Sequence, residues 1–271
     1  MSDDNALGRI TRRRFLAAAA ASAPALALGS RPVRAQSSVE LRIATAWPAG
    51  SSVARQLTAW GATLARRTDN QVRLRLYFGG SQGDEREAVR KTRVGLLEGV
   101  LLTSWGASQF TASTAALEAP GVCTTYTKLD TARVALTPTF EAAFATGGVK
   151  LLGFYDYGAR RVFSRRPIVT PEDMRSTRMA SPAEWEQWTS IAVAASVPRV
   201  QCGVAEVAPW LTTGQIDAFP ATSLEAVANG WQSSATHVTS SSHGLMIGAT
   251  VLSRAAFGAL SSDHQRVLLE T

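Results

Sequence analysis

Strand and helix patterns alternate along most of this 271-residue chain, and this alternation constrains the fold more than any single motif. Residues 39–44 and 72–77 alternate apolar and polar side chains, as strands with one solvated face do. Residues 53–68 between them carry apolar side chains at helical spacing, and residues 99–103 form a short apolar strand pattern. The order predicts βαβ units around a mostly parallel sheet.

The carboxyl ends of these strands predict where a ligand binds, because ligands of parallel sheets lie beyond those ends. Ala46 and Trp47 follow the first strand pattern, and Ser104 and Trp105 follow the third. We therefore expect these residues at a binding cleft. For each tryptophan, ordinary packing in the core is an equally good interpretation.

A second series of patterns begins after residue 149, with a strand at residues 149–154 and a new structural region from residue 161. Thr170, Pro171 and two following acidic residues form a typical helix start. The other predicted elements are helices at residues 184–193 and 209–213 and strands at residues 178–180 and 216–219.

Residues 79–99 begin with a glycine-rich turn followed by an amphipathic helix, an outline shared with phosphate-binding loops. The lysine of a P-loop is absent, and Asp84, Glu85 and Glu87 lie in the first helical turn. Carboxylates stabilise a helix N-terminus but repel a phosphate. The stretch therefore favours a capped surface helix over a nucleotide site.

The first 35 residues have the parts of a signal peptide. A twin-arginine motif at residues 11–16 precedes an apolar run at residues 17–28 and a small-residue cleavage pattern before Gln36. The run is shorter than the roughly 20 residues that a membrane span needs. We expect export by the twin-arginine route, and no later segment is long and apolar enough to cross a bilayer.

Charge and reactive residues argue against several functions. Formal net charge is +7, but six arginines and two aspartates precede Gln36, so the remainder has 22 basic and 19 acidic residues and a net charge of +3. This weakens nucleic-acid binding. His237, His243 and His264 lack metal-ligand spacing, and the first two lie in a Ser/Thr-rich loop that we expect to be solvated. Cys123 and Cys202 are interpreted as separate buried thiols rather than a disulfide.

Seven motifs, in order along the chain, resemble those of the solute-binding proteins of TRAP transporters, the DctP family. They are AWP at 46–48, YFGGSQGDERE at 77–87, RVGLLEG at 93–99, GAR at 158–160, RPIVTPEDM at 166–174, LTTGQIDA at 211–218 and VLSRAAF at 251–257.

This resemblance implies a two-lobed α/β periplasmic solute-binding protein, with a central hinge and a ligand cleft between the lobes. The first lobe would span residues 36–157, with residues 250–271 returning to it, and the second residues 158–249. Such a protein captures a small organic acid and delivers it to membrane permease subunits, without catalysis or cofactor. Its predicted partners include neither nucleic acid nor metal.

The resemblance also implies that arginines hold the ligand carboxylate, since a guanidinium fork matches a carboxylate in a bidentate pair. Ala180 occupies the slot of the usual clamp arginine, whereas Arg160 matches a second arginine of the site. Arg178 is a possible substitute or a solvent-facing residue, and Arg160 could instead form a structural ion pair. The predicted ligand-binding residues are Arg160, Trp47, Ser104, Trp105, Arg178, Phe219 and Thr222.

Family members usually continue beyond the position of Thr271. We therefore expect the last helix, which begins near Ser262, to leave Val267, Leu268 and Leu269 partly exposed.

Three other functions are alternatives to the solute-binding subunit of a transporter. They are a binding protein that feeds a sensor, an exported α/β enzyme and a nonfunctional truncated homologue.

Overall fold

A mixed sheet organises the chain in the computed structural model, which describes residues 38–119, 121–182 and 186–271. Its nine strands among these residues are β1 (Val39–Thr45), β2 (Val72–Tyr77), β3 (Gly99–Thr103), β4 (Val149–Ser164), β5 (Met179–Ala180), β6 (Arg199–Val200), β7 (Ala218–Thr222), β8 (His237–Val238) and β9 (Leu245–Ser253). Their order is β2-β1-β3-β9-β4-β7-β5-β6, and β8 pairs with β4. The predicted signal peptide lies outside the described residues.

Helices connect these strands. They are α1 (Ser52–Arg67), α2 (Glu85–Arg93), α3 (Ser104–Ser108), α4 (Tyr126–Thr146), α5 (Pro171–Arg175), α6 (Glu186–Ala194), α7 (Val207–Thr213), α8 (Ser223–Ala228), α9 (Arg254–Ala259) and α10 (Ser262–Glu270). Short 3₁₀ helices lie at Ala112–Glu118, Val204–Glu206 and Trp231–Ser233. Among the described residues, no helix has the length and apolar character of a membrane span.

The prediction of a mostly parallel sheet is correct only for the two ends of the sheet. Strand β1 is parallel to β2 and β3, and β5 is parallel to β6 and β7. Strands β4 and β9 at the centre pair in antiparallel fashion with their neighbours. Sequence reasoning missed β9 because its continuous apolar run lacks the alternation that marks a half-buried strand.

Strand β4 joins two hydrophobic cores. Its first part, from Val149 to Ala159, pairs with β9, and its last part, from Arg160 to Ser164, pairs with β7. Side chains of the first core include Leu102, Leu129, Phe140, Phe144 and Val251. Side chains of the second core include Met179, Leu211, Phe219, Ala221 and Trp231. One continuous strand therefore passes from one core to the other, with Arg160 at the change of partner.

Helix starts follow the capping rules. The Thr170 hydroxyl accepts a hydrogen bond from the Asp173 amide, and the Asp173 carboxylate accepts one from the Thr170 amide, which confirms the helix start predicted there. The Ser51 hydroxyl likewise caps α1 by accepting from the Ala54 amide at 3.1 Å. These caps supply partners for amides that have none within the helix.

The end of the chain packs more closely than predicted. Val267 and Leu268 are 8% and 3% exposed, respectively, and join a cluster with Leu41 and Leu64, so their expected partial exposure is wrong. Leu269 is 46% exposed, as expected. The amphipathic spacing of α10 turns two apolar side chains of its last turn towards α1 and the sheet.

Candidate ligand-binding site

The carboxylates that follow the glycine-rich loop, at the start of α2, accept hydrogen bonds from nearby protein groups. The Asp84 carboxylate caps α2 by accepting from the Glu87 amide at 2.8 Å, which confirms the predicted cap. Glu85 is buried rather than on the surface, and it accepts hydrogen bonds from the amide and hydroxyl of Thr103 at 2.7 and 2.5 Å, respectively. A Cβ at Gly106 would lie 2.4 Å from Glu85 Oε2, so this carboxylate needs a glycine beside it.

The space beside the loop supports the exclusion of a phosphate. The cavity lined by Thr45, Gly80, Gly83 and Asp84 has a volume of about 10 Å³. That is room for about one water molecule. The loop therefore ties α2 to the end of β3, and the carboxyl-bearing residues Asp84 and Glu85 line the small cavity beside it.

Trp47 lies among aromatic side chains. It is 4% exposed, and its ring stacks on Tyr157 with 4.9 Å between centroids. The Tyr155 hydroxyl lies 2.7 Å from the Tyr157 hydroxyl and donates to the carbonyl of Leu102 at 2.7 Å. Burial raises the pKa of both tyrosines well above its usual value, so both hydroxyls stay neutral. Trp47 is thus packed, with its ring against the strand that carries Arg160.

Trp105 is partly buried on α3, and the Arg86 guanidinium lies 5.7 Å from the centre of its ring. This distance allows a cation–π interaction. A ligand contact of Trp47 or of Trp105 stays a prediction, because both rings already have protein partners.

Arg160 lies opposite Thr222 in the pairing of β4 with β7. Its side chain is 12% exposed, and its Nη2 atom lies 3.7 Å from Oε2 of Glu118, whose side chain is 2% exposed. No hydrogen bond from the Arg160 guanidinium to an acceptor is found within the described part of the chain. A guanidinium has five N–H donors, so Arg160 retains donor capacity for another acceptor.

Two buried carboxyls and one imidazole interact electrostatically with Arg160. Burial raises the pKa of Glu118, and Arg160, the Ile247 amide and the Ser104 hydroxyl oppose this rise. Burial also raises the pKa of Glu225, against the Thr222 amide and Arg160. Burial and the positive charge of Arg160 lower the pKa of His243 to about 4. The imidazole is therefore neutral at pH 7, and the cluster carries more acidic than basic groups.

His243 corrects one sequence interpretation. The Ser/Thr-rich loop was expected to leave His237 and His243 solvated, and His237 is indeed exposed. His243 is partly buried, because its amide donates to the Arg160 carbonyl at 3.1 Å and holds the loop against β4. Only the pairing of this loop with β4 reveals that proximity.

Arg178 lies away from this cluster. Its guanidinium donates to both carboxylate oxygens of Asp217 at 2.8 and 2.9 Å, and the side chain is 51% exposed. Asp217 precedes β7, whereas Thr222 ends that strand, so the two arginines lie at opposite ends of β7. Ala180 is fully buried in the second core. The structure therefore does not bring Arg178 to Arg160, and its role as a ligand contact stays a prediction.

Phe219 and Thr222 are both fully buried on β7. The Phe219 ring stacks on Phe163 at 5.3 Å and meets the edge of Trp231 at 5.0 Å between centroids. The Thr222 hydroxyl accepts from the Glu225 amide at 3.2 Å and caps α8. Phe219 belongs to the second core, whereas Thr222 lies beside Arg160.

The structure thus brings together three of the predicted residues, Ser104, Arg160 and Thr222, and adds Glu118, Glu225 and His243, which sequence reasoning missed. The spacing from Thr222 to Glu225 is that of a capping box, and this sequence signal identifies Glu225. Glu118 gave no signal, since it ends a short 3₁₀ helix in an ordinary apolar run. Among the described residues, no group of three metal-ligating side chains is present.

A larger groove of about 390 Å³ lies between α1, the middle of β4 and the end of α10. Its lining includes Val53, Leu57, Trp60, Phe154 and Leu268. None of the seven predicted ligand-binding residues lines it. The groove's lining also has no Lys or Arg and includes Asp156, so the polar cluster around Arg160 is the better candidate for an acid-binding site.

Several solved structures have a similar fold. A TRAP periplasmic solute-binding protein from Sulfitobacter sp. NAS-14.1 superposes with a TM-score of 0.78 and 17% identity, over 86% of this chain and 78% of its own. One from Roseobacter denitrificans gives 0.79 and 20%, over 86% and 77%. One from Desulfovibrio salexigens gives 0.77 and 15%, over 85% and 75%. At these identities the likeness shows the fold alone, and it confirms the predicted two-lobed α/β fold.

Sequence comparison identifies the family directly. No curated protein sequence matches the chain. The family model described as bacterial extracellular solute-binding protein, family 7 (DctP), matches residues 43–271, which include all seven predicted ligand-binding residues. On this match over most of its length, the chain belongs to the DctP family of bacterial extracellular solute-binding proteins.

Proposed function

We propose that this chain is the extracytoplasmic solute-binding subunit of a TRAP-type secondary transporter. It captures a small organic acid and delivers it to membrane permease subunits. The observation that carries the proposal is Arg160, a largely buried guanidinium with unused donors at the strand position where the two cores meet. Binding, rather than catalysis, is the activity of the site.

The ligands of structurally similar proteins support an acid. The Sulfitobacter protein contains β-D-galacturonate, the Roseobacter protein β-D-glucuronate and the Desulfovibrio protein orotic acid. In this chain, Arg160 holds the carboxylate, and Ser104 and Thr222 supply further polar contacts to the ligand. Trp47 and Trp105 border the same cleft, between lobes at residues 36–157 with 250–271 and residues 158–249. Arg178 and Phe219 remain outside this proposed contact set.

A thermal-shift screen of the mature chain tests the function. Sugar acids and small carboxylates are expected to raise the melting temperature with a saturable dose dependence, because a ligand that binds only the native state stabilises it by mass action. At about 100 times Kd the gain is about 2.7 kcal/mol. The matched neutral compounds, in which an amide or aldose replaces each acid, should give no shift. Equal shifts with acids and neutral analogues would argue against an acid-binding site.

Localisation follows from the N-terminal segment. We propose that residues 1–35 are a signal peptide and that the twin-arginine route exports the chain to the periplasm. Changing Arg12 and Arg13 together to lysine should leave precursor in the cytoplasm, measured by fractionation and immunoblotting. A neighbouring change, Arg9→Lys, is the control and should leave export intact. Normal export of the double variant would exclude the twin-arginine route.

A further inference from the structure

We infer that the end of the sheet remote from Arg160 carries a binding surface for anionic lipid membranes. This surface, the arginine edge, consists of five exposed arginines that the strand pairing places together, namely Arg165, Arg166, Arg175, Arg178 and Arg199. Its partner is a bilayer whose headgroups carry negatively charged phosphate groups. The inference goes beyond the proposed function, because the arginine edge and the acid-binding cluster lie at opposite ends of β7.

Strand pairing places these arginines at one end of the sheet. Arg165 and Arg166 directly follow β4, which is antiparallel to β7. Arg178 directly precedes β5 and Arg199 begins β6, and β5 is parallel to both β6 and β7. Arg175 lies three residues before Arg178. Neighbouring strands lie about 4.8 Å apart, so from β4 to β6 the edge extends over about 14 Å. This spread suits an extended surface rather than a single small anion.

Charge in this part of the chain is balanced in number but not in position. Residues 158–249 contain seven arginines, no lysine and seven acidic residues. Among the described residues, three acidic side chains adjoin the five arginines of the edge. Asp217 pairs with Arg178 at 2.8 Å, Glu172 pairs with Arg175 at 3.2 Å, and Asp173 caps α5. Five arginines against three acids leave an excess of two positive charges at the edge.

Three arginines of the edge have guanidinium groups that make no ion pair or hydrogen bond within the described residues. They are Arg165, Arg166 and Arg199, and all three are exposed. The Arg165 guanidinium lies at the end of α7, where a Cβ added to Gly214 would be 2.6 Å from its Nη1 atom. A guanidinium without an acceptor in the protein can bind two phosphate oxygens at once, because its N–H donors form a fork. These arginines therefore supply most of the attraction to a phosphate surface.

Exposed apolar side chains beside these arginines favour a bilayer over an acidic protein. Val169 lies three residues after Arg166 and is 85% exposed, and Pro167 between them is exposed as well. Val238 on β8 is 51% exposed, and its strand pairs with the last two residues of β4. At a membrane interface, arginines contact headgroups while neighbouring apolar side chains enter the boundary with the acyl chains. An acidic loop of a protein would satisfy the arginines but offers no apolar phase to these side chains.

Co-sedimentation of the mature chain with vesicles tests the arginine edge. At about 50 mM NaCl, where screening is weaker than at physiological salt, vesicles of phosphatidylglycerol and phosphatidylcholine in equal parts should bind the chain at least about 10-fold more tightly than phosphatidylcholine alone. Arg165→Gln with Arg166→Gln should weaken this binding by about 10-fold or more, since each arginine at an anionic surface contributes about fivefold. Val169→Ser should weaken it by about threefold, because the side chain no longer enters the apolar boundary.

The control is Arg66→Gln with Arg73→Gln, which removes two exposed arginines from α1 and β2 and gives the same net charge as the first double variant. This control should bind the anionic vesicles within about twofold of wild type. An equal loss in the two double variants would overturn the arginine edge, as would no preference of the wild type for anionic vesicles. Unchanged binding in Val169→Ser would overturn the lipid assignment in favour of an acidic protein partner.

Inorganic phosphate distinguishes a membrane surface from free phosphate as the partner. At constant ionic strength it should leave vesicle binding unchanged, and displacement of the chain from the vesicles would overturn the assignment to a membrane. Acid affinity and melting temperature of Arg165→Gln with Arg166→Gln should equal those of wild type, because both side chains are exposed and remote from Arg160. Failure of the arginine edge is therefore distinguishable from failure of acid binding.

Discussion

Arg160→Ala is expected to weaken binding of the cognate acid by about 2–5 kcal/mol, the usual cost of truncating one partner of a buried, hydrogen-bonded charge pair. This corresponds to a loss of roughly 30-fold to several thousand-fold in affinity. Arg178→Ala should change affinity by less than about twofold, because Arg178 already forms a bidentate pair with Asp217 away from Arg160. The Asp217 side chain is only 13% exposed, so removing its guanidinium partner should lower stability while leaving acid binding intact.

Calorimetric titration of both variants with the strongest acid from the thermal-shift screen measures the contrast. Arg160→Lys is a useful intermediate, since it keeps the charge but loses the planar fork that matches a carboxylate. Comparable losses in Arg160→Ala and Arg178→Ala would show that Arg178 has replaced the clamp that Ala180 lacks. Wild-type affinity in Arg160→Ala would exclude a carboxylate contact at this position. Recognition would then depend on tryptophan, serine and backbone groups.

Strands with an alternating or short apolar pattern could be predicted from sequence, whereas β9 at the centre of the sheet could not. Residues 72–77 alternate because one face of β2 packs on a core and the other meets solvent. Strand β9 is buried along most of its length, so its sequence has no alternation to read. Strand β4 runs on to Ser164, because it crosses from one core to the other, and the sequence pattern marked only its first six residues.

The residues of the candidate site also divide into those with a signal in the sequence and those without one. Arg160 was identified because it lies in a motif shared with the family, and Ser104 because it follows a strand. Arg178 lies two residues before Ala180, and residues two apart on a strand face the same side, but its guanidinium pairs with Asp217, 39 residues away. Glu118 and His243 reach Arg160 only through tertiary contacts. A local sequence pattern contains no information about such contacts.

Substitutions at Phe219 distinguish a role in the hydrophobic core from a role in ligand binding. Phe219→Ala is expected to lower the free energy of unfolding by about 3–5 kcal/mol, as large-to-small changes at fully buried aromatic positions do. The side chain is fully buried, and its ring contacts both Phe163 and Trp231. Removing it leaves a cavity and two aromatic contacts unmade. Urea unfolding followed by circular dichroism and tryptophan fluorescence measures the loss.

The matched change is Phe219→Leu, which keeps an apolar side chain of intermediate volume. If Phe219 has only a core role, Phe219→Leu should lose less stability than Phe219→Ala and should bind the acid with unchanged affinity. The reason is that Phe219 packs in the second core rather than against Arg160. If Phe219 contacts the ligand, Phe219→Leu should instead have near-normal stability and weaker acid binding. Val169→Ala, at a position 85% exposed, provides the baseline and should stay within about 0.5 kcal/mol of wild type. Weaker acid binding by Phe219→Leu at unchanged stability would indicate that Phe219 contacts the ligand. Because Phe219 is buried in the second core, such a contact would require β7 to move on ligand binding.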